Sequence, residues 1–146
     1  MRLAKSVVQL CTALVMFVLA VAAIHMAFAG TPQPRTAKSV MLIYVGAMNC
    51  APCESWRRTE AADFQACPEF SRLVYREVES PSLRDVLDDA IWPEDLRVYR
   101  EFIAKGAGVP LWMVIADGQL VQQGFGLSQW RQTVFPTVAQ LVGSSR

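Results

Sequence analysis

The segment SVMLIYVGA, residues 39–47, is apolar almost throughout and rich in β-branched and aromatic residues. Such a run, with no polar face, predicts a strand buried on both sides at the centre of a sheet. APCESWRRTEAADFQA, 51–66, is helical in composition, and Pro52 suits a first helical turn, where its missing N–H costs nothing. SRLVYREVES, 71–80, alternates in part and predicts a second strand. Leu83, Val86, Leu87, Ala90 and Ile91 then fall on one helix face. Pro93 breaks or kinks that helix. Leu96, Tyr99, Phe102 and Ile103 resume the period, and Gly106 ends it. VPLWMVIADGQLVQQGFG predicts a hairpin, with strands over 110–116 and 119–124 joined by Asp117-Gly118. LSQWRQTVFPTVAQLVG predicts an amphipathic helix through Trp130, Val134, Val138 and Leu141, with Ser128 as N-cap and Pro136 as a kink or effective start. The order is β-α-β-α-β-β-α. Its first two strands are expected to be parallel and its hairpin antiparallel, which makes an α/β fold with a mixed central sheet. All four tryptophans are expected in the core, Trp92 being the one left partly exposed beside Pro93.

The N-terminal pattern is different. Arg2 and Lys5 precede an apolar run from Val7 to Ala29, interrupted by Gln9, Thr12 and His25 and ending in Ala27-Phe28-Ala29. Charge, apolar stretch and small residues in that order predict a secretory signal peptide over 1–29. The run is also long enough to cross a bilayer core of roughly 30 Å, so an uncleaved anchor helix is the alternative. Either way the following residues lie outside the cytoplasm, because Arg2 and Lys5 stay inside. The expected location is periplasmic or secreted, or tethered to the inner membrane facing the periplasm, with membrane contact only through this segment. GTPQPRTAK, 30–38, reads as a linker, and 39–146 as the folded domain.

The chain has 146 residues, enough for one domain, and its 53 % hydrophobic content is partly the leader's. With 14 basic and 13 acidic residues and no basic stripe, nothing points to nucleic acid. Of four cysteines, Cys11 is apolar filler in the leader; Cys50, Cys53 and Cys67 remain. An odd number does not make a purely structural disulfide framework. A metal site lacks ligands, since the one histidine, His25, is in the leader. No metal and no organic cofactor are therefore expected. Cys67 reads as a buried small hydrophobe, with a third redox thiol as the alternative.

Cys50-Ala51-Pro52-Cys53 falls where the first strand meets the first helix. A free thiol ionises near pH 8.5, and a helix N-terminus, with unpaired N–H groups and about half a positive charge, favours the thiolate. Each pKa unit corresponds to about 1.4 kcal/mol. Cys50 is thus the candidate nucleophile. Cys53, one turn on and nearly on the same face, is the candidate resolving thiol. Pro52 stiffens the intervening turn and Ala51 adds no charge. The junction is expected to hold both sulfurs at an exposed loop.

With CAPC after an apolar strand and VPLWMVIADGQLV downstream, residues 39–143 resemble the thioredoxin-like superfamily. The resemblance implies a cis Val109–Pro110 bond lying against the cysteines. It also makes Val109 and Pro110 substrate contacts, and places a glycine beside the same groove, Gly124 or, one step along, Gly126. Departures are Asn49, where an aromatic residue is usual, and Tyr44, where a buried carboxylate is usual; Glu54 stands where many members have a basic residue. CxxCxxW with Trp56, and FPTVAQLV, are similar to exported members found with bacterial sulfur-oxidation and cytochrome-maturation systems. The implied activity is thiol–disulfide oxidoreduction. CAPC is nearer to the reducing CGPC type, so the expected role is reduction of protein disulfides, fed by a membrane thiol-electron transporter. The alternatives are a metallochaperone or binding module on the same fold, and a disulfide oxidase or isomerase using the same residues.

Overall fold

The computed structural model describes residues 36–104 and 106–143. The expected leader or anchor, Cys11, His25 and most of the linker lie outside the described residues. Among the described residues no helix is long and apolar enough to cross a membrane.

The elements follow the expected order. Strand β1 (Val40–Ala47) leads into helices α1 (Ala51–Thr59) and α2 (Ala61–Ala66), then a 3₁₀ turn at Phe70–Arg72 and β2 (Val74–Ser80). A 3₁₀ turn at Glu94–Leu96 and a single helical turn, α3 (Arg97–Arg100), precede the hairpin β3 (Leu111–Ala116) and β4 (Gln119–Phe125). The C-terminal helix has three parts: α4 (Gly126–Gln129), a π turn (Trp130–Val134) and α5 (Phe135–Leu141). The sheet order is β2-β1-β3-β4. β1 pairs parallel with β2 and antiparallel with β3, and β3 pairs antiparallel with β4.

β1 and β3 are therefore the central strands, which is why their sequences lack a polar face. Period-two alternation divides their side chains between two cores. Val40, Leu42, Tyr44, Trp112 and Val114 meet Trp56, Phe64 and Trp130 on one face. Ile43, Val45, Ala47, Leu111, Met113 and Ile115 meet Cys50, Cys53, Val86, Trp92 and Leu96 on the other. The hairpin turn has Asp117 at φ 50° and Gly118 at φ 81°, both left-handed, as a two-residue turn matching strand twist requires. β4 carries a bulge: Val114 pairs Gln122 and Ile115 pairs Leu120, so Val121 is the extra residue.

Four expectations need correction. The helix over 51–66 is interrupted at Glu60, whose φ of −121° leaves the helical region. The helix through Leu83 and Ile91 does not form. Amides there bond three residues back, Asp85 to Ser82, Asp88 to Asp85 and Ile91 to Asp88. Side-chain oxygens of Ser80, Ser82 and Asp88 take the amides of Ser82, Arg84 and Ala90 at 3.0–3.2 Å. These short polar side chains offer the backbone local partners that outcompete a helix, despite the apolar period. Trp92 is only 1 % exposed; its indole N–H donates to Val86 O at 2.8 Å. Ser128 does not cap the last helix, which starts two residues earlier, with Gln129 Oε1 accepting the Phe125 amide at 3.0 Å. Pro136 cannot donate to the turn before it, and the π turn directly preceding α5 absorbs that gap.

Gly124, opposite Trp112, packs directly on this last helix. A Cβ there would lie 2.8 Å from Val134 Cγ2 and 3.0 Å from Gln129 Oε1. Gly124→Ala must therefore push back a buried valine and disturb the bond to Phe125. A destabilisation of about 1–3 kcal/mol is expected in urea unfolding, and an unchanged midpoint would show that the helix is not seated as described.

Candidate active site

β1 ends at Ala47, and three residues later Cys50 is the N-cap of α1, with extended φ −110° and ψ 105°. Its carbonyl accepts the Glu54 amide at 3.0 Å, the first bond of the helix. Its Sγ accepts the Cys53 amide at 3.1 Å. A cysteine sulfur thus occupies the place of a capping oxygen, with a backbone N–H aimed at it. That geometry and the helix end both favour negative charge on Cys50 Sγ. Pro52 lies in the first turn of α1. Ala51 and Pro52 are exposed and add no charge.

Cys50 and Cys53 form a disulfide with a Cα–Cα distance of 5.2 Å, inside the ordinary range. The expectation of an exposed pair is not met. Cys53 is 0 % and Cys50 3 % exposed, whereas Met48, Asn49, Ala51 and Pro52 around them are exposed. The loop is at the surface, but the sulfurs are tucked under it, and only Cys50 reaches solvent at all.

The cover comes from the start of the hairpin. The Val109–Pro110 bond is cis. Val109 O lies 3.6 Å from Cys50 Sγ, where a reduced thiol would find an acceptor. Pro110 O accepts the Gly126 amide at 2.8 Å, so Gly126, at φ 74°, is the glycine bonded to this corner. Gly124 instead faces Val134 and Gln129 on the other side of the sheet.

Two features around the dithiol were not foreseen from the sequence: a bond made by Asn49, noted there only as a departure from the family pattern, and a cavity. Asn49 Oδ1 accepts the Leu83 amide at 2.8 Å and so ties the segment after β2 to the residue before Cys50. Beyond this clasp lies a cavity of about 190 Å³ lined by Leu83, Arg84, Val86, Leu87, Ile103 and Val109 among others. The apolar period that suggested a helix marked these residues, but its regularity hid that they wall a cavity.

Glu54 is a surface residue, 3.4 Å from Arg58 one turn along. Among the described residues no carboxylate is buried. Tyr44 fills the core behind α1, its ring stacked on Trp56 at 4.7 Å between centroids. Its hydroxyl is buried and lies 2.5 Å from where a Cβ on Gly46 would be. Burial pushes the Tyr44 phenol up from 10.0 to about 12; nearby Arg57 pulls it down and Glu79, ion-paired with Arg57, pushes it up. Cys67 is half-buried and outside any disulfide, and burial pushes its thiol up. A more basic, less ionised thiol is a poor nucleophile.

No protein-family model matches the chain, and no curated protein matches it in sequence. Solved structures that do match include thioredoxin (Mala s 13) from Malassezia sympodialis, 13 % identical, covering 73 % of this chain and 80 % of that one with a TM-score of 0.49. Spinach chloroplast thioredoxin f is 10 % identical, covering 72 % and 78 %, with a TM-score of 0.46. Likeness at that level carries no weight of its own. The strand order, the strand directions and the disulfide at the β1–α1 junction define the architecture without it. The chain has a thioredoxin fold.

The Tyr44 phenol gives a pH dependence. Its folded pKa is raised, so its contribution to stability is complete below pH 10 and is lost as pH rises through about 12. Between those limits the protein should lose about 2–3 kcal/mol more than Tyr44→Phe, which cannot ionise. Parallel alkaline unfolding curves for the two proteins would contradict this environment for Tyr44.

Proposed function

We propose that the protein is a thiol–disulfide oxidoreductase that reduces protein disulfides outside the cytoplasm, with Cys50 as nucleophile and Cys53 as resolving thiol. The observation that carries this reading is the Cys50 sulfur. It caps the start of α1, receives the Cys53 amide at 3.1 Å, and belongs to the one residue of the pair with any solvent exposure.

In the reduced protein the Cys50 thiolate attacks a substrate disulfide. A Cys50–substrate disulfide forms and the first substrate thiolate leaves, taking a proton from solvent. Cys53, having lost its proton, then attacks Cys50 Sγ. The internal disulfide closes and the second substrate thiolate leaves. Two electrons pass from the dithiol to the substrate, and a donor dithiol restores the reduced form by the reverse exchange. Val109, whose carbonyl lies 3.6 Å from Cys50 Sγ, and Pro110 flank the path by which a substrate backbone approaches. Outside the cytoplasm, a donor must draw its electrons across the membrane. A membrane thiol-electron transporter is therefore the proposed partner, and residues 1–29 are the proposed export signal or anchor.

Cys53→Ser should accumulate a covalent adduct with a disulfide-bonded protein, visible by mass and released by reductant, while Cys50→Ser should not. An adduct on Cys50→Ser alone would reverse the two roles. The direction of electron flow is read from the reduction potential. A reductase should lie near about −270 mV, and a value near about −120 mV would make the protein an oxidant instead.

A further inference from the structure

The cavity next to the dithiol has features that its packing role does not need. Two of its lining residues are tied to the reactive loop. Val109 lines it and also places its carbonyl 3.6 Å from Cys50 Sγ. Leu83 lines it and is bonded through its amide to Asn49, the residue before Cys50. A chain whose cysteine is joined to Cys50 would therefore run beside residues that line this cavity.

Its size selects an occupant. About 190 Å³ corresponds to the share of roughly six waters at about 30 Å³ each. That falls short of the roughly 300–1,000 Å³ typical of sites for free small molecules. It is ample for one large apolar side chain. The mouth is apolar and open, with Leu83 48 % and Leu87 44 % exposed, and Phe125 stands beside Gly108 at its hairpin side.

Among the described residues the rim carries one charge, Arg84. Among the described residues every other arginine binds a carboxylate or a backbone carbonyl. Arg84 alone leaves its guanidinium without either. An unpaired guanidinium fork at the edge of an apolar cavity is complementary to a carboxylate.

We propose that this cavity sets substrate choice: it takes one large apolar side chain flanking the substrate cysteine, while Arg84 pairs with a carboxylate in the same segment. This rests on the reading of Cys50 as nucleophile. The favoured substrate is an extended protein segment in which a cysteine has both an apolar and an acidic neighbour.

The test uses the reduced full-length protein and peptides carrying one cysteine as a mixed disulfide with 5-thio-2-nitrobenzoate. Three peptides differ only beside the cysteine: leucine with glutamate, alanine with glutamate, and leucine with lysine, each placed on both sides. Rates of thionitrobenzoate release are divided by the rate of the same protein with 2-hydroxyethyl disulfide, which has no side chain to fill the cavity. Leucine should outpace alanine about tenfold. Glutamate should outpace lysine several-fold, less so in high salt. Arg84→Glu, an exposed change, should reverse the glutamate–lysine order, and Leu87→Asp should reduce the leucine advantage. Equal rates for the three peptides, or an unaltered order in Arg84→Glu, would overturn this inference and leave the redox reading standing. Failure to react with every disulfide, 2-hydroxyethyl disulfide included, would remove the redox reading and this inference with it.

Discussion

The site depends on one capping interaction. A buried strand, held on both edges by its neighbours, delivers Cys50 to the start of α1, where its sulfur takes the Cys53 amide. Without β1 fixed from both sides, the cap would have no defined position. Without α1 beginning at Ala51, the two sulfurs would not come within bonding distance. The same contact joins fold and chemistry: the group that satisfies the helix end is the group proposed to attack. The cost of an open N-terminus is offset by an atom that gains reactivity from the arrangement.

The two cores divide the work of holding this junction. On the face of Trp56, rings stack or meet edge-on, Tyr44 on Trp56 and Trp56 on Trp112 and Trp130, and seat α1 against the sheet. Large rigid side chains bury much area at little rotamer cost, so they fix the helix axis well. On the other face Cys50 and Cys53 are themselves part of the core with Val86, Trp92 and Leu96. The dithiol is thus packed into the protein and not mounted on it. Of the pair only Cys50, beneath Val109, keeps a trace of solvent exposure.

Element order, strand directions and the position of the cysteine pair were legible in the sequence because they rest on strong local signals. Residues 40–45 have no polar face, Asp117-Gly118 permits a tight turn, and Pro52 marks a helix start. What was not legible depended on competition between local and distant partners. Leu83, Val86 and Leu87 have a helical period, but Ser80, Ser82 and Asp88 capture backbone amides, and Asn49 captures another from 34 residues away. No periodicity records a side-chain acceptor arriving from a different loop. The burial of the sulfurs was hidden for a similar reason: the cover is Val109, far along the chain, and its placement is a property of the hairpin.

Asn49 has one more consequence. Its backbone leads directly into Cys50, and its side chain holds the strip of chain that walls the neighbouring hollow. One side-chain amide thus touches both the proposed sorting surface and the loop that carries the reactive sulfur. A lineage that altered residue 49 would disturb both at once, and selectivity would have to be retuned at other lining residues, such as Leu87 or Ile103.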